Sequence, residues 1–307
     1  MAKCLVIGAN GFLGSHLVDE LTARGHDVTA FDRFSTATAL YSADGVAAIA
    51  GDFTRPSDLQ TALVGQQLVF HFVSASTPFS SDGDPALDVR TNVAPSVDLF
   101  QLCVQAGVDR VFFASTGGAI YGDQPVDANE NSLPQPISPY AIGKLAIEHY
   151  LGYFRRKHGL ESVALRISNP YGPRQRSSKV QGVIPIFLRH LHEGAPLTVY
   201  GDGSMIRDYI FVTDAARMIA ETVDRRTQHS LYNIGSGHGT SVNELLAIMT
   251  ATTGIEPQLL REPVPTTFVD HVVLDIHRYS TEFGTQPRVS LPEGIELTWR
   301  AIQDETS

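Results

Sequence analysis

The stretch from Cys4 to Gly14, Cys-Leu-Val-Ile-Gly-Ala-Asn-Gly-Phe-Leu-Gly, decides the fold of this chain. Its first four residues form an apolar run that predicts a short buried strand, and helically spaced apolar residues predict a helix from Phe12 to about Arg24. Of its three glycines, one permits a tight turn, another lets the backbone approach a pyrophosphate, and the third lets helix and strand pack closely. The helix N-terminus also directs free N–H groups at phosphates. The stretch therefore predicts a dinucleotide site. Its residues would be Gly8, Gly11, Phe12, Leu13 and Gly14.

The second predicted strand, Asp27–Phe31, ends beside an acidic residue. Asp32 lies where a carboxylate binds the adenosine ribose hydroxyls of a dinucleotide. A carboxylate at this point repels a 2′-phosphate, which favours NAD over NADP as the cofactor. Arg33 follows immediately and is able to hold that phosphate, so NADP stays open as the alternative.

Strands and helices alternate along the first half of the chain. Helices are predicted over about 90–106, stopped by Gly107, and over 138–157. Further strands are predicted at Val46–Ala50, Leu68–Phe72, Arg110–Ala114 and Ser162–Ile167. Because such alternation is typical of parallel strands with crossover helices, we predict an α/β fold, a Rossmann-type doubly wound parallel sheet. The pattern changes near Asn169. We expect a dinucleotide-binding domain over 1–168 and a smaller α+β substrate domain over 169–307, with elements that are able to interleave.

The composition argues against several classes of function. Acidic residues outnumber basic ones by 33 to 23, which is unlike a general nucleic-acid binder. Cys4 and Cys103 are too few for a disulfide framework or metal cluster, and we expect two buried thiols. The histidines lack a His-Glu-x-x-His spacing, so no metal is predicted, and His71 is interpreted as a buried, satisfied side chain. Apolar runs fall far short of the ~20 residues of a membrane span, and no signal-peptide pattern occurs. We therefore expect a cytoplasmic protein with no membrane partner.

A tyrosine and a lysine four residues apart form the candidate catalytic pair. Ser138 and Pro139 are typical of a helix start, so Tyr140 and Lys144 share one face of that helix. The ordinary pKa of tyrosine, about 10, is too high for a base at neutral pH. A nearby ammonium and a positively charged nicotinamide both favour the phenolate. We therefore predict that Tyr140 takes a proton from a sugar hydroxyl as hydride leaves the same carbon.

Several separated motifs, in this order, resemble the extended short-chain dehydrogenase/reductase family and, within it, the NAD-dependent nucleotide-sugar epimerases of the UDP-glucose 4-epimerase type. The resemblance covers nearly the whole chain. It rests on the glycines at 8, 11 and 14, Asp52 in Gly51-Asp52-Phe53, Ser115-Thr116-Gly117-Gly118-Ala119-Ile120-Tyr121-Gly122, Tyr140 with Lys144, Asn169-Pro170-Tyr171-Gly172-Pro173-Arg174, Gly201-Asp202-Gly203 and Arg207-Asp208-Tyr209.

The resemblance implies further site residues. Asp52 and Phe53 would flank the adenine, Lys144 would also touch the nicotinamide ribose, and Asn92 would lie near the active site. The substrate-binding residues it implies are Asn169 and Arg207 at the nucleotide diphosphate, and Val183 and Ile184 lining the nucleotide pocket. A planar guanidinium suits a diphosphate because it meets two oxygens at once. For Arg207 a surface ion pair with Asp202 or Asp208 stays open, as does a simple turn at Asn169-Pro170.

The loop before Tyr121 bears on the reaction. The family's catalytic serine or threonine position falls near Gly117, so the hydroxyl that polarises the substrate would come from Thr116, which we prefer, or from Ser115. Relatives that are 4,6-dehydratases resemble Ser-Thr-Asp-Glu here, and dehydration needs an added acid and base. Since Gly117 and Gly118 offer no carboxylate, the resemblance implies epimerisation of a nucleotide hexose at C4, with N-acetylated and acidic sugars among the candidates. A 4,6-dehydratase with an unusual base and a non-catalytic NAD-binding regulator stay open.

Two further features concern the substrate and the oligomer. Residues 265–270 lack the arginine that the family often places there, and Arg261 is the candidate substitute. Arg174, Arg176 and Lys179 form a basic cluster that would meet a phosphate or a uronic-acid carboxylate, or would be solvated loop charges. The helices near 92–106 and 138–157 match the family's dimer helices, so the resemblance implies a homodimer.

Overall fold

The computed structural model describes residues 1–35, 38–77, 80–124, 127–175, 182–265 and 268–306. Its strands are β1 (Lys3–Ile7), β2 (Asp27–Asp32), β3 (Ala47–Ala50), β4 (Leu68–His71), β5 (Arg110–Thr116), β6 (Glu161–Ile167), β7 (Asn169–Tyr171), β8 (Leu197–Tyr200), β9 (Ile206–Phe211), β10 (Leu231–Ile234), β11 (Gly239–Ser241), β12 (Leu259–Glu262) and β13 (His271–Val272).

The helices confirm most of the predicted segments. They are α1 (Phe12–Ala23), α2 (Pro56–Ala62), α3 (Pro85–Asp88), α4 (Ala94–Ala106), α5 (Gly117–Ile120), α6 (Pro139–His158), α7 (Val183–Glu193), α8 (Val212–Asp224), α9 (Val242–Thr253), α10 (His277–Phe283) and α11 (Leu291–Thr306). A π-helical turn, Val89–Val93, joins α3 to α4. Gly107 and Gly159 end α4 and α6 in the left-handed conformation, which glycine adopts without steric cost.

A seven-stranded parallel sheet confirms the predicted α/β fold. Its strand order is β10-β6-β5-β4-β1-β2-β3. The inner strand β1 pairs in parallel with β2 on one side and with β4 on the other. The carboxyl ends of parallel strands share one edge, so Gly8, Asp32, His71 and Thr116 lie on the edge where doubly wound sheets bind ligands.

The chain divides into two compact units whose segments alternate along the sequence. Unit 1 comprises Met1–Thr116, Ser138–Arg166 and Ile219–Tyr232, and unit 2 comprises Gly117–Ile137, Ile167–Met218 and Asn233–Ser307. The core of unit 1 contains β1, β4 and β5 residues with α4 and α6 residues, while the core of unit 2 contains residues of α7, α9 and α11.

This division differs from a single boundary near 169 in two segments. Residues 219–232 belong to unit 1 because β10 pairs with β6, where Ala164 N–H donates to the Ser230 carbonyl at 2.9 Å. Residues 117–137 belong to unit 2, where Ala128 N–H donates to the Val273 carbonyl at 2.9 Å. The sequence pattern does not record these long-range pairings.

Both cysteines are buried free thiols, as predicted. Burial raises the pKa of Cys4 to about 12 and raises that of Cys103 as well, because a thiolate is poorly solvated there. None of the described helices is long and apolar enough to cross a membrane. The described residues also contain no cluster of histidine, cysteine and carboxylate side chains able to hold a metal ion.

Candidate active site

The glycine loop between β1 and α1 forms a cradle of backbone. Gly8 has a φ of 90°, and its N–H donates to the Phe31 carbonyl at 2.9 Å. A Cβ on Gly14 would overlap the Gly8 carbonyl oxygen, so the loop can pack on the helix only without that side chain. Gly11 is the N-cap of α1 and brings no side-chain acceptor to the first N–H groups of the helix. These groups fit a pyrophosphate, as the sequence predicts.

Asp32 supports this loop. Its Oδ2 accepts a hydrogen bond from Asn10 N–H at 3.0 Å, and its Oδ1 accepts from Arg33 N–H at 2.7 Å. Asn10 in turn accepts from Leu40 N–H at 2.7 Å through its Oδ1. The carboxylate therefore fixes the loop while remaining at the end of β2, where it is able to accept from ribose hydroxyls. The side chain of Arg33 is exposed.

Asp52 and Phe53 occupy different surroundings. Asp52 Oδ1 accepts from Thr54 N–H at 2.9 Å and from Thr54 Oγ1 at 2.7 Å, and these bonds lower the pKa of Asp52. The Phe53 ring is buried in the core of unit 1, with its centroid 4.8 Å from that of His71. Contact between Phe53 and an adenine through its side chain would therefore need rearrangement of the core, whereas Asp52 is accessible.

The start of α6 is fixed from two sides. Ser138 is the N-cap, and its Oγ accepts from Ala141 N–H at 3.3 Å. Tyr140 N–H donates to Ser81 Oγ at 3.2 Å, so the first turn of the helix is also tied to the loop after β4. The predicted helix start is confirmed, and Tyr140 is thereby held in a defined position.

Ser115 and Thr116 have separate partners because successive residues of a strand point to opposite faces. Ser115 Oγ donates to Glu148 Oε1 at 2.5 Å, and Glu148 forms a buried ion pair with Arg166 at 2.7 Å. The Thr116 hydroxyl instead forms a hydrogen bond with Tyr140 that lowers the tyrosine pKa. Of the two hydroxyls, Thr116 is the one beside the candidate base.

Lys144 lies buried beneath Tyr140, with 6% of its surface exposed. Its Nζ donates to the Ala114 carbonyl at 2.8 Å, and it lies 5.7 Å from the Tyr140 ring centroid. Burial lowers the pKa of Lys144 to about 8, opposed by the carboxylates of Asp88 and Glu148. Burial also raises the pKa of Tyr140 to about 12. The predicted lowering of the tyrosine pKa by this ammonium is not found, since the ammonium points at a carbonyl while burial of the phenol and the charge of Asp88 raise that pKa.

Asp88 was not identified from the sequence, and for His71 the sequence predicted the burial correctly but not the ring nitrogen that lacks a partner in the described part of the chain. The Asn92 amide donates to Ser76 and to Asp88, the carboxylate whose charge acts on Tyr140 and Lys144. His71 Nε2 lies 2.7 Å from Ser96 Oγ, and that hydroxyl donates to the Asn92 carbonyl. His71 Nδ1 has no hydrogen-bond partner among the described residues, so the histidine is buried but not fully satisfied. Burial and nearby Lys144 lower its pKa, which keeps it neutral.

In unit 2, Asn169 and Arg207 are held by backbone carbonyls. Asn169 Nδ2 donates to the Asp208 carbonyl at 2.9 Å. Arg207 Nη2 donates to the Val269 carbonyl at 2.6 Å, and Nη1 donates to the Ile206 carbonyl at 2.8 Å. Among the described ion pairs, none joins Arg207 to Asp202 or Asp208: Asp202 accepts from Ser204, and the buried Asp208 accepts from Ser236.

The other predicted substrate residues differ in how exposed their side chains are. Ile184 is buried in the core of unit 2, so at the start of α7 only Val183 retains partly exposed side-chain surface. Arg174 has a φ of 66° and a partly exposed side chain. The other two residues of the predicted basic cluster, Arg176 and Lys179, lie outside the described residues. Arg261, on β12, donates from Nη1 to the Gly201 carbonyl at 3.0 Å.

Comparison with known proteins agrees with this geometry. The chain is 33% identical over 305 residues to the UDP-glucose 4-epimerase of Mycolicibacterium smegmatis, covering 96% of this chain and 97% of that protein. Among solved structures, UDP-glucose 4-epimerase of Thermotoga maritima with UDP-glucose has a TM-score of 0.93 at 33% identity, with 99% and 100% of the two chains covered. The UDP-glucose 4-epimerase of Thermus thermophilus in complex with NAD has a TM-score of 0.91 at 34% identity, with 98% and 99% covered.

A match to a family model supports the same assignment as these individual relatives. The sequence model of the NAD dependent epimerase/dehydratase family matches residues 4–235, which include the glycine loop and the Tyr140–Lys144 pair. The cradle of backbone N–H groups and the carboxylate of Asp32 fit the dinucleotide that this family uses. The chain therefore belongs to the NAD dependent epimerase/dehydratase family, within the extended short-chain dehydrogenases/reductases, and its cofactor is NAD.

Proposed function

We propose that this protein inverts a hydroxyl-bearing carbon of a nucleotide-activated hexose, as a 4-epimerase of UDP-sugars. One observation carries the proposal: Tyr140 is hydrogen-bonded to Thr116 and lies over the buried ammonium of Lys144, and the two residues that follow Thr116 in the chain are glycines. Similarity to UDP-glucose 4-epimerases over nearly the full chain supports the choice of reaction and of nucleotide.

The chain's own residues perform the proton transfers. Bound NAD would supply reversible hydride transfer at C4 of the sugar, and the positive charge of its nicotinamide would favour the Tyr140 phenolate. Tyr140 takes the C4 hydroxyl proton as the carbon becomes a ketone, and Thr116 donates a hydrogen bond to the same oxygen. Once the 4-keto sugar has turned over and presents its other face, Tyr140 returns the proton to the C4 oxygen. The sugar is neither oxidised nor reduced overall.

Dehydration is not supported by the groups near Tyr140. A 4,6-dehydratase must remove the C5 proton and protonate the departing C6 hydroxyl, which requires an added acid and base. The described carboxylates beside the catalytic pair are Asp88 and Glu148. Asp88 is buried against Gly143, and Glu148 is paired with Arg166. Neither is available to a sugar.

Unit 2 supplies the nucleotide contacts in this proposal. Carbonyl contacts hold Arg207 in one place, which prepares a fixed cation for the diphosphate. Asn169 and the exposed part of Val183 would complete this subsite, and Arg261 would substitute for the arginine missing from residues 265–270. Arg174 would bind phosphate or a sugar carboxylate.

Replacing Thr116 with alanine is expected to lower kcat about 100-fold, since it removes one hydrogen bond to the reacting oxygen. The variant also lacks the hydrogen bond between Thr116 and Tyr140 that lowers the tyrosine pKa, so the Tyr140 pKa rises and the acidic limb of the pH profile of kcat should move to higher pH. Ser115→Ala is the matched comparison, because its hydroxyl faces Glu148 instead. It should keep most of kcat. Equal loss in both variants, measured by steady-state kinetics, would contradict the assignment of Thr116.

Product analysis tests the function itself. Purified protein would be incubated with NAD and a panel of UDP-, dTDP-, GDP- and CDP-sugars, including uronic acids, with products resolved by chromatography and NMR. A C4 epimer without net NADH supports the proposal and identifies the sugar. A product lighter by one water supports a dehydratase instead. Tightly bound NAD with no change in any sugar supports a non-catalytic regulator.

We further propose a homodimer through α6 and the helical run 85–106. Ile142, Tyr150 and Tyr153 repeat along one exposed face of α6, and Leu87 and Val89 are exposed on the neighbouring run. Ile142→Glu is expected to convert a dimer of two 33.3 kDa chains into monomers in sedimentation experiments, because a carboxylate would be desolvated in the interface. Val64→Glu, on an exposed turn after α2 and outside the two helical segments, is the control and should remain dimeric. Two monomeric variants, or a monomeric wild type, would contradict the proposal.

A further inference from the structure

Asp88 is a buried carboxylate beside the catalytic pair. It is 2% exposed and ends α3, directly before the π-helical turn. Its Oδ1 accepts hydrogen bonds from Ser76 Oγ and from Asn92 Nδ2, the latter at 2.8 Å. Asn92 Oδ1 accepts in turn from Ala75 N–H at 2.8 Å. The carboxylate is therefore fixed by a small polar network, which lowers the cost of burying it.

Gly143 is the point at which this carboxylate meets α6. A Cβ at residue 143 would overlap Asp88 Oδ2, so the close approach depends on glycine at that position. Gly143 lies three residues after Tyr140 and directly before Lys144. The negative charge consequently acts on both. It raises the pKa of Tyr140 because it disfavours the phenolate, and it raises that of Lys144 because it favours the ammonium.

We propose that Asp88 is a positioning residue for the Tyr140–Lys144 pair: its contact with Gly143 holds α6 in place, and its charge sets the pH range in which the pair is active. The inference rests on the proposed epimerase function, because the pair must turn over substrate for that range to appear in kinetics. It adds a residue that touches neither the sugar nor NAD.

Other charged groups face the pair from neighbouring elements. Glu148, on α6 itself, also raises the Lys144 pKa, but Arg166 of β6 pairs with it. His71, on β4, is neutral. Asp88 differs because the donors described for it, Ser76 and Asn92, are uncharged. Its charge is therefore not offset by a paired cation, and its removal should have the larger effect.

The decisive variant is Asp88→Asn, which keeps the size of the side chain and removes its charge. In the active enzyme Tyr140 must be deprotonated, which gives the acidic limb of the pH profile of kcat, and Lys144 must be charged, which gives the alkaline limb. Both limbs should move to lower pH by about one unit, because loss of the negative charge lowers the pKa of Tyr140 and that of Lys144. A purely structural role would lower the height of the profile and leave both limbs in place. Thermal unfolding and NAD content would establish that the variant is folded.

Two further variants separate charge from fit. Asp88→Glu keeps the charge but is too long for the space against Gly143, so the limbs should stay while kcat falls about tenfold. Asp84→Asn removes a carboxylate four residues earlier, at the exposed N-cap of α3, and should leave profile and kcat unchanged. Limbs of Asp88→Asn at the wild-type pH, or limbs that move in opposite directions, would overturn the proposal.

Direct titration makes the test independent of turnover. In protein with isotope-labelled tyrosine, the Tyr140 Cζ resonance is identified by its loss in Tyr140→Phe. Its NMR titration should lie at lower pH in Asp88→Asn than in wild type. A wild-type protein that binds NAD but converts no sugar would contradict only the proposed function. A Tyr140 titration at the same pH in Asp88→Asn and in wild type would contradict the role of Asp88.

Discussion

Replacing Tyr140 with phenylalanine is expected to lower kcat for epimerisation by about 1,000-fold, within the range for loss of a general acid–base. The phenol hydroxyl is the group that exchanges a proton with the sugar, and Thr116 cannot replace it because an aliphatic hydroxyl is a far weaker acid. NAD content should stay at the wild-type level, since the glycine loop and Asp32 are untouched. The measurement is steady-state kinetics with UDP-glucose and UDP-galactose, alongside the absorbance of bound NAD.

Tyr150 provides the matched control for that experiment. It lies on the same helix and is 42% exposed, away from Thr116. Tyr150→Phe should retain kcat and the free energy of unfolding. If Tyr140→Phe instead kept more than about a tenth of wild-type kcat, another group would be taking the proton, because a lost acid–base normally costs 100-fold or more.

Replacing Gly14 with alanine is expected to abolish detectable NAD binding and to lower the free energy of unfolding by about 1–3 kcal/mol, as overpacking does. The added methyl group would overlap the Gly8 carbonyl oxygen and lie 2.9 Å from the Gly8 carbonyl carbon. Both are backbone atoms, so no side-chain rotation relieves the contact. The loop would move away from α1, and the N–H groups that face the pyrophosphate would move with it.

Gly152 is the control for this substitution because it is also a helical glycine. A Cβ there would lie 3.5 Å from Arg156 Nη1, an ordinary contact. Gly152→Ala should therefore raise the free energy of unfolding by about 0.5–1 kcal/mol, the usual gain inside a helix. NAD content by absorbance and urea unfolding measure both variants. Bound NAD in Gly14→Ala would show that the loop tolerates the shift.

Local patterns in the sequence were sufficient where a structure depends on neighbours along the chain. The apolar runs and glycine stops predicted β1, α1, α4 and α6 within a few residues, and Ser138 predicted the N-cap of α6. The helix α2 was missed although Pro56 in its first turn and the buried Leu59 are typical signals. The predicted end of β5 at Ala114 was two residues short. Extending that strand would have placed Ser115 and Thr116 on opposite faces.

Features that depend on tertiary packing could not be predicted in this way. The π-helical turn aligns Asp88 and Asn92 with Ser76, which lies in a different part of the chain. Gly143 lies inside a helix and not at a turn, so the sequence gives no reason for a glycine there. The reason is the Asp88 carboxylate, which leaves no space for a Cβ at this position. The donation of Lys144 to the Ala114 carbonyl, instead of to the tyrosine, likewise requires the sheet to be in place.

The strand β10 lies far along the sequence from β6, the strand it pairs with, and this separation has a consequence for synthesis on the ribosome. The edge of β6 is covered only when residues 231–234 pair with it, yet β6 itself ends at Ile167. About 65 residues must be translated in between, which takes roughly 3–13 s at 5–20 residues per second. During that interval the nascent sheet exposes an unpaired parallel strand, a template for association with other chains. Chaperone demand during translation should therefore peak between these two points, and a chain truncated near residue 168 should aggregate.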